Sequence, residues 1–190
     1  MRPSAFLLLP FLLGSSVAFA GLDVTAYDKL VLLKSPPATE SDVGGEANVV
    51  VLQRVEFPER FEGLKDGGVY RYGQSFDFRA GAYSGYGRWR NELAKLAGNP
   101  QTPFKSFDGK TELRYDATVW DRKAGPFWEL IDFSDAEGVI GPVVCKRVYQ
   151  DFLRFADAAS RHPDPDFRAS YEDWKKAFAM CADDGAIVFH

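Results

Sequence analysis

Between Gly141 and Cys181 the apolar residues form two helical stripes placed symmetrically about Pro163, and nothing else in the chain constrains the fold as tightly. Gly141-Pro142 opens the first helix where proline is best tolerated. Cys145, Val148, Phe152, Phe155 and Ala159 then recur at steps of three and four. His162-Pro163-Asp164-Pro165-Asp166 breaks the chain, and Phe167, Tyr171, Trp174, Phe178 and Cys181 repeat the pattern before Asp184-Gly185. Such stripes are the buried faces of amphipathic helices. Cys145 and Cys181 each stand 18 residues from Pro163, so an antiparallel hairpin puts both sulfurs at one level on the packed faces. A bridge there would stabilise by roughly 4 kcal/mol in the chain-entropy model. The alternative is two buried thiols. Neither cysteine has a C-x-x-C partner, which argues against redox catalysis and against zinc.

Strand signals dominate the part before this pair. Leu22 to Leu33 is rich in aliphatic and β-branched residues and stops at Ser35-Pro36-Pro37, Asn48 to Val55 is a second strand, and Val69 to Phe78 a third. Ala38 to Glu46 reads as a polar loop. A helix announced by Ser84 covers Tyr86 to Ala97 and closes at Gly98 and Pro100. Asn99 to Lys110 reads as a loop, Glu112 to Trp120 and Phe127 to Phe133 as strands, and Ala186 to Phe189 as an edge strand. Strands first and helices later, without βαβ alternation, predict an α+β domain. Its largely antiparallel sheet would pack against the C-terminal helical hairpin and one further helix.

The first twenty residues have the parts of an export signal: Arg2, an apolar run from Ala5 to Leu13, and the small-residue exit Ala18-Phe19-Ala20. A membrane-spanning helix needs about 20 apolar residues, more than this run supplies. The alternative is a buried N-terminal helix. Cleavage near Ala20 predicts an exported, periplasmic or secreted protein whose single domain runs from Gly21 to His190. An oxidising compartment also suits a cysteine bridge. The net charge of −4 becomes −5 without Arg2. That balance, with only the small basic clusters Arg79/Arg88/Arg90 and Lys146/Arg147, excludes a nucleic-acid footprint.

Two segments are candidates for function. Asp132-Phe133-Ser134-Asp135-Ala136-Glu137-Gly138 carries three carboxylates and a hydroxyl just before a helix start. Asp135 and Glu137 are candidate acid and base for hydrolysis of a cell-wall or other polysaccharide. The same groups suit a Ca²⁺ site, or cap the following helix and shape its turn, which is the reading preferred here. The segment Phe78 to Arg90 interleaves Arg79, Tyr83, Tyr86, Arg88 and Trp89 with Gly81, Gly85 and Gly87. Tyr, Trp and Arg are enriched at binding hot spots, and glycine lets a partner approach the backbone. The competing reading makes it a strand-to-helix turn with Tyr83 and Trp89 in the core. Only two histidines occur, His162 in the proline-rich turn and His190, expected to fray. Nucleophilic catalysis therefore has little support, and no nucleotide fingerprint, cofactor motif or metal motif is present.

Gly21-Leu22-Asp23-Val24-Thr25-Ala26-Tyr27, Phe78 to Tyr86, Phe133 to Gly141 and Asp184-Gly185-Ala186-Ile187-Val188-Phe189-His190 together resemble a family of uncharacterised bacterial and phage-associated proteins. Members of that family start with Met directly before the Gly-Leu-Asp segment, lack an export signal, and often carry Cys where Ala136 stands. The resemblance implies a domain that begins at Gly21, and it brings no activity. The leading expectation is an exported binding or interaction module that meets an unknown protein or envelope component. The carboxylate-based hydrolase is the alternative.

Overall fold

The computed structural model describes residues 21–36, 47–106, 108–133 and 135–190. The expected signal at 1–20, the whole polar loop read from Ala38 to Glu46, Phe107 and Ser134 lie outside them. The architecture is α+β, with antiparallel sheets and a C-terminal helical pair. Strand β1 (Leu22–Tyr27) alternates strictly, burying Leu22, Val24 and Ala26 and turning Asp23, Thr25 and Tyr27 away from the core. Its neighbours are β5 (Ser75–Gly81) on one side and β9 (Ala186–Phe189) on the other, and β8 (Gly138–Ile140) lies beyond β9. All these pairings are antiparallel, with Val24 opposite both Phe78 and Phe189.

Helices α4 (Pro142–Ser160) and α5 (Pro165–Ala182) form the expected hairpin against this sheet. The Cys145–Cys181 disulfide joins them with a Cα separation of 5.7 Å. Val148, Phe152, Ala159, Phe167, Tyr171, Trp174 and Phe178 are buried as their spacing required, whereas Phe155 is half-buried. Helix α1 (Tyr83–Leu96) adds Tyr86, Trp89 and Leu93 to the same core, where Trp174 has ring neighbours in Phe78, Tyr86, Trp89, Phe178 and Phe189. Contacts of that kind add about 0.5–1.5 kcal/mol each beyond area burial.

A second sheet has the order β2 (Val31–Lys34), β4 (Gly68–Arg71), β3 (Val49–Leu52), and covers a smaller core of Leu52, Phe61, Tyr70, Val139 and Ala186. A hairpin of β6 (Thr102–Lys105) and β7 (Thr111–Arg114) projects after α1. Two short helices follow, α2 (Asp116–Arg122) and α3 (Trp128–Ile131).

Several expectations are corrected. The strand read over Leu22 to Leu33 is two strands, split where Lys29 takes φ 50° and the Lys29 and Leu30 amides donate to the carbonyls of Asp183 and Asp184. The third strand is likewise split at Tyr72-Gly73-Gln74, and the Gly73 amide donates to Asp28. The loop over Asn99 to Lys110 contains β6. Glu112 to Trp120 is strand only as far as Arg114, because the Arg114–Asp116 pair sits where the chain turns into α2. Phe127 to Phe133 contains a helical turn, entered with Phe127 at φ 59° and its amide tied to Asp151. Ser84 lies inside the first turn of α1, so it does not cap that helix. Strand β9 is interior to the sheet and not at its edge.

Candidate functional site

The first half of α1, the end of β5, strand β7 and the corner between α4 and α5 enclose a cleft of about 1170 Å³. Ala80 and Gly81 close one end. Helix α1 contributes Ser84, Gly85, Gly87, Arg88, Trp89, Asn91 and Glu92, the hairpin contributes Glu112, Leu113 and Arg114, and the corner contributes His162, Asp164, Asp166, Phe167 and Ser170. The volume lies just above the range of about 300–1,000 Å³ usual for small-molecule sites. Its charged lining is four carboxylates against two guanidiniums, so its potential favours cations.

Several of these groups are already committed. Arg114 holds Asp116 through two hydrogen bonds, 2.8 and 2.6 Å, with its guanidinium centre 5.2 Å from the rings of Phe104 and Trp120. The hydrogen bond that Arg114 donates to buried Asp116 raises the Arg114 pKa above its ordinary value, so this cation is permanent. His162 lies 4.1 Å from the Phe167 ring, and its Nδ1 accepts from the Asp164 amide at 3.3 Å. An accepting Nδ1 places the neutral ring's proton on Nε2, which faces Glu92 Oε2 at 3.6 Å. His162 thus stands where the corner meets α1, packed on the Phe167 ring and facing Glu92. The Asp164 carboxylate caps α5 by accepting from the Asp166 amide.

Of the residues proposed from sequence, the structure places Arg88 and Trp89 on the cleft. Trp89 is its largely buried floor and Arg88 an exposed wall. Tyr86 lies in the core, fully buried between Trp89, Trp174 and the Arg90 guanidinium, which leaves it no surface to offer a partner. Burial pushes its phenol far above the ordinary range. Tyr83 is exposed but does not line the cleft, and the Arg79 side chain packs against the Gly21 backbone. Arg90, the third arginine of the segment, donates to the carbonyls of Phe133 and Ile131 and pairs with Asp135 at 3.6 Å.

The acidic segment lies elsewhere. Asp135 and Glu137 are exposed on the turn between α3 and β8, and neither lines the cleft. Asp132 is held by Arg60 at 3.4 Å and Lys123 at 3.8 Å. The turn leads into β8, and α4 starts after Gly141 without a side-chain cap. Helix capping is therefore corrected to anchoring by arginines. Among the described residues no group of three His, Cys, Asp or Glu is placed to hold a metal, and no helix is long and apolar enough to cross a membrane.

Sequence reasoning missed the buried Arg60. Its guanidinium donates to the carbonyls of Glu129 and Asp132 at 3.0 and 2.7 Å, to Glu59 at 2.7 Å, and sits 4.3 Å from the Trp128 ring. It ties the 3₁₀ turn Pro58–Phe61 to α3 with its donors taken up. Missed as well was the C-terminal anchor: the His190 amide donates to Asp23, and its Nε2 lies 3.1 Å from Thr25 Oγ1, which donates to Asp77. No spacing rule marks either, since both depend on strand order. No family model, no curated protein and no solved structure matches the chain.

Proposed function

We propose that the chain is an exported binding module that holds a protein or envelope component in the cleft between α1, β7 and the α4–α5 corner. The observation that carries this reading is the pair Gly85 and Gly87. Both stand inside α1, both line the cleft, and a Cβ on either would meet nothing within 4 Å. Each glycine costs about 0.5–1 kcal/mol relative to alanine in a helix interior. No packing contact demands either. Local choices that oppose the fold's stability collect at functional surfaces, and here they keep one wall of the cleft low. Export is supported by the signal-like pattern that ends at Ala20, and by the disulfide, a bond characteristic of oxidising compartments.

The test is affinity capture from the envelope and medium of the producing cell. The protein purified after export is compared with its Gly85→Gln/Gly87→Gln variant. The expected result is a partner held by the wild type and retained about tenfold less or weaker by the variant, whose melting temperature is no lower. Identical captured sets from the two proteins would place the partner surface outside this cleft.

A further inference from the structure

The open edge of β7 gives the cleft a specific chemistry. Glu112, Leu113 and Arg114 are consecutive in a strand, so their side chains alternate between its faces, yet all three line the cleft. A strand presents consecutive residues to one space only through its edge. Among the described residues β7 pairs with β6 alone, and β6 meets α2 where the Thr102 and Thr118 hydroxyls lie 3.2 Å apart. The outer edge of β7 is thus unpaired among the described residues, and residues 112–114 of that strand line the cleft.

The hairpin register states which groups that edge offers. The Ser106 amide donates to Lys110, and the Gly109 amide, at φ 82°, closes the turn on Ser106. Counting outward in steps of two, Phe104 with Glu112 and Thr102 with Arg114 are the hydrogen-bonded pairs. Pro103, which has no N–H, stands opposite Leu113 at a position that needs none. The N–H and C=O groups of Thr111 and Leu113 consequently point away from β6, and of the two residues Leu113 lines the cleft. Leu113 is also 61% exposed, although apolar.

We infer that this cleft, taken as the binding site proposed above, receives an extended peptide from another protein as a third strand on β7, with basic and apolar residues alternating. Main-chain hydrogen bonds to Thr111 and Leu113 supply the attachment, as in other strand additions. Glu112 on one face of β7 and Leu113 on the other set the alternation. The basic preference follows from four lining carboxylates, Glu92, Glu112, Asp164 and Asp166, against the single guanidinium of Arg88, since Arg114 is neutralised by Asp116.

The experiment uses ¹⁵N-labelled protein and a pool of capped heptapeptides with Lys fixed at alternate positions and degenerate apolar residues between. Amide exchange is followed at residues 111–114. The expected result is saturable binding that slows exchange at Thr111 and Leu113 and leaves Glu112 and Arg114, already bonded to β6, unchanged. Leu113→Pro removes the outward donor without touching the β6–β7 ladder and abolishes binding. A pool N-methylated at alternate amides does the same to the wild type, so the test stands if the proline variant fails to fold. Glu112→Lys weakens binding roughly tenfold, because an attractive cross-strand pair becomes repulsive. Binding without protection of Thr111 and Leu113 overturns strand addition and leaves the cleft reading intact. So does failure of the pool to bind when the wild type, but not the glycine variant, captures a partner. Failure of both experiments removes both readings. Equal affinity for a pool with Glu at the fixed positions overturns the charge assignment. Protection that appears with protein concentration alone makes a second copy the occupant and overturns a foreign peptide.

Discussion

Gly185 and the pair Gly85/Gly87 lack a Cβ for opposite reasons. A Cβ on Gly185 would lie 1.9 Å from the Tyr27 carbonyl oxygen and 2.9 Å from Cys181 Cα, both backbone atoms that cannot step aside. Gly185→Ala should cost about 1–3 kcal/mol through overpacking. Gly85→Ala and Gly87→Ala should each raise stability by about 0.5–1 kcal/mol. Urea denaturation of the three variants reads both signs, and destabilisation by the α1 substitutions would mean that the fold itself needs those glycines. Asp151 gives a pH signature at the same scale. Burial is the largest influence on its carboxyl and raises its pKa, the nearby Glu129 raises it further, and the Phe127 amide opposes both. Between the unfolded and the higher folded value the folded chain binds more protons, so this group's contribution to stability falls as pH rises through that window. Asp151→Asn keeps an acceptor for the Phe127 amide and sheds the charge. The variant should be more stable than the wild type at neutral pH, with the gap closing near pH 3, below the ordinary carboxylate range of about 4. Arg88 and Trp89 were legible as surface candidates because Arg and aromatic residues among glycines are unusual. Tyr86 was not separable from them, since a core tyrosine and a surface tyrosine carry the same letter.

At the scale of elements, α4 and α5 were legible almost to the residue. Apolar spacing of three and four over five turns has no strand interpretation, and Pro142 and Pro165 mark first turns. The chain between Thr111 and Phe133 was not. Val119, Trp120 and Ile131 have strand propensity, but α2 and α3 are short helices packed on α1, where tertiary contact overrides preference. Phe127 at φ 59° and Lys123 at φ 48° also break the chain at points no glycine announces. The disulfide is the element-scale test of the hairpin. It spans a sequence separation of 36, so Cys145→Ala/Cys181→Ala should lose about 4 kcal/mol, less any repacking gain. That loss corresponds to a fall of about 2 M in the urea midpoint. Thiol titration of the unreduced protein should find neither cysteine reactive, and two reactive thiols would refute the bridge.

For the whole molecule the decisive feature is where β9 sits. The sequence pattern marks Ala186 to Phe189 as a strand, but apolar alternation cannot say which strands flank it, and an edge position was the default. The sheet places it between β1 and β8, pairing Val24 with Phe189, Thr25 with Val188, Ala26 with Ile187 and Tyr27 with Ala186. The first and last strands described thus close the sheet, and the His190 amide and ring extend that closure along β1. Contacts of this sequence separation form late, because the loop-closure cost precedes any gain from the pairing. Until residues 186–189 have been made, β1 lacks one neighbour, β8 lacks its only one, and Trp174 and Tyr86 lack Phe189. A chain whose last strand joins β1 to β8 keeps that sheet incomplete until residues 186–189 have been made. Truncation after Gly185 should therefore abolish the cooperative unfolding transition and the near-ultraviolet circular dichroism of the aromatic core. Helical signal from residues 142–182 should partly persist, held by the disulfide. A truncated protein that still melts cooperatively, with native aromatic dichroism, would show that β9 completes a core already formed without it.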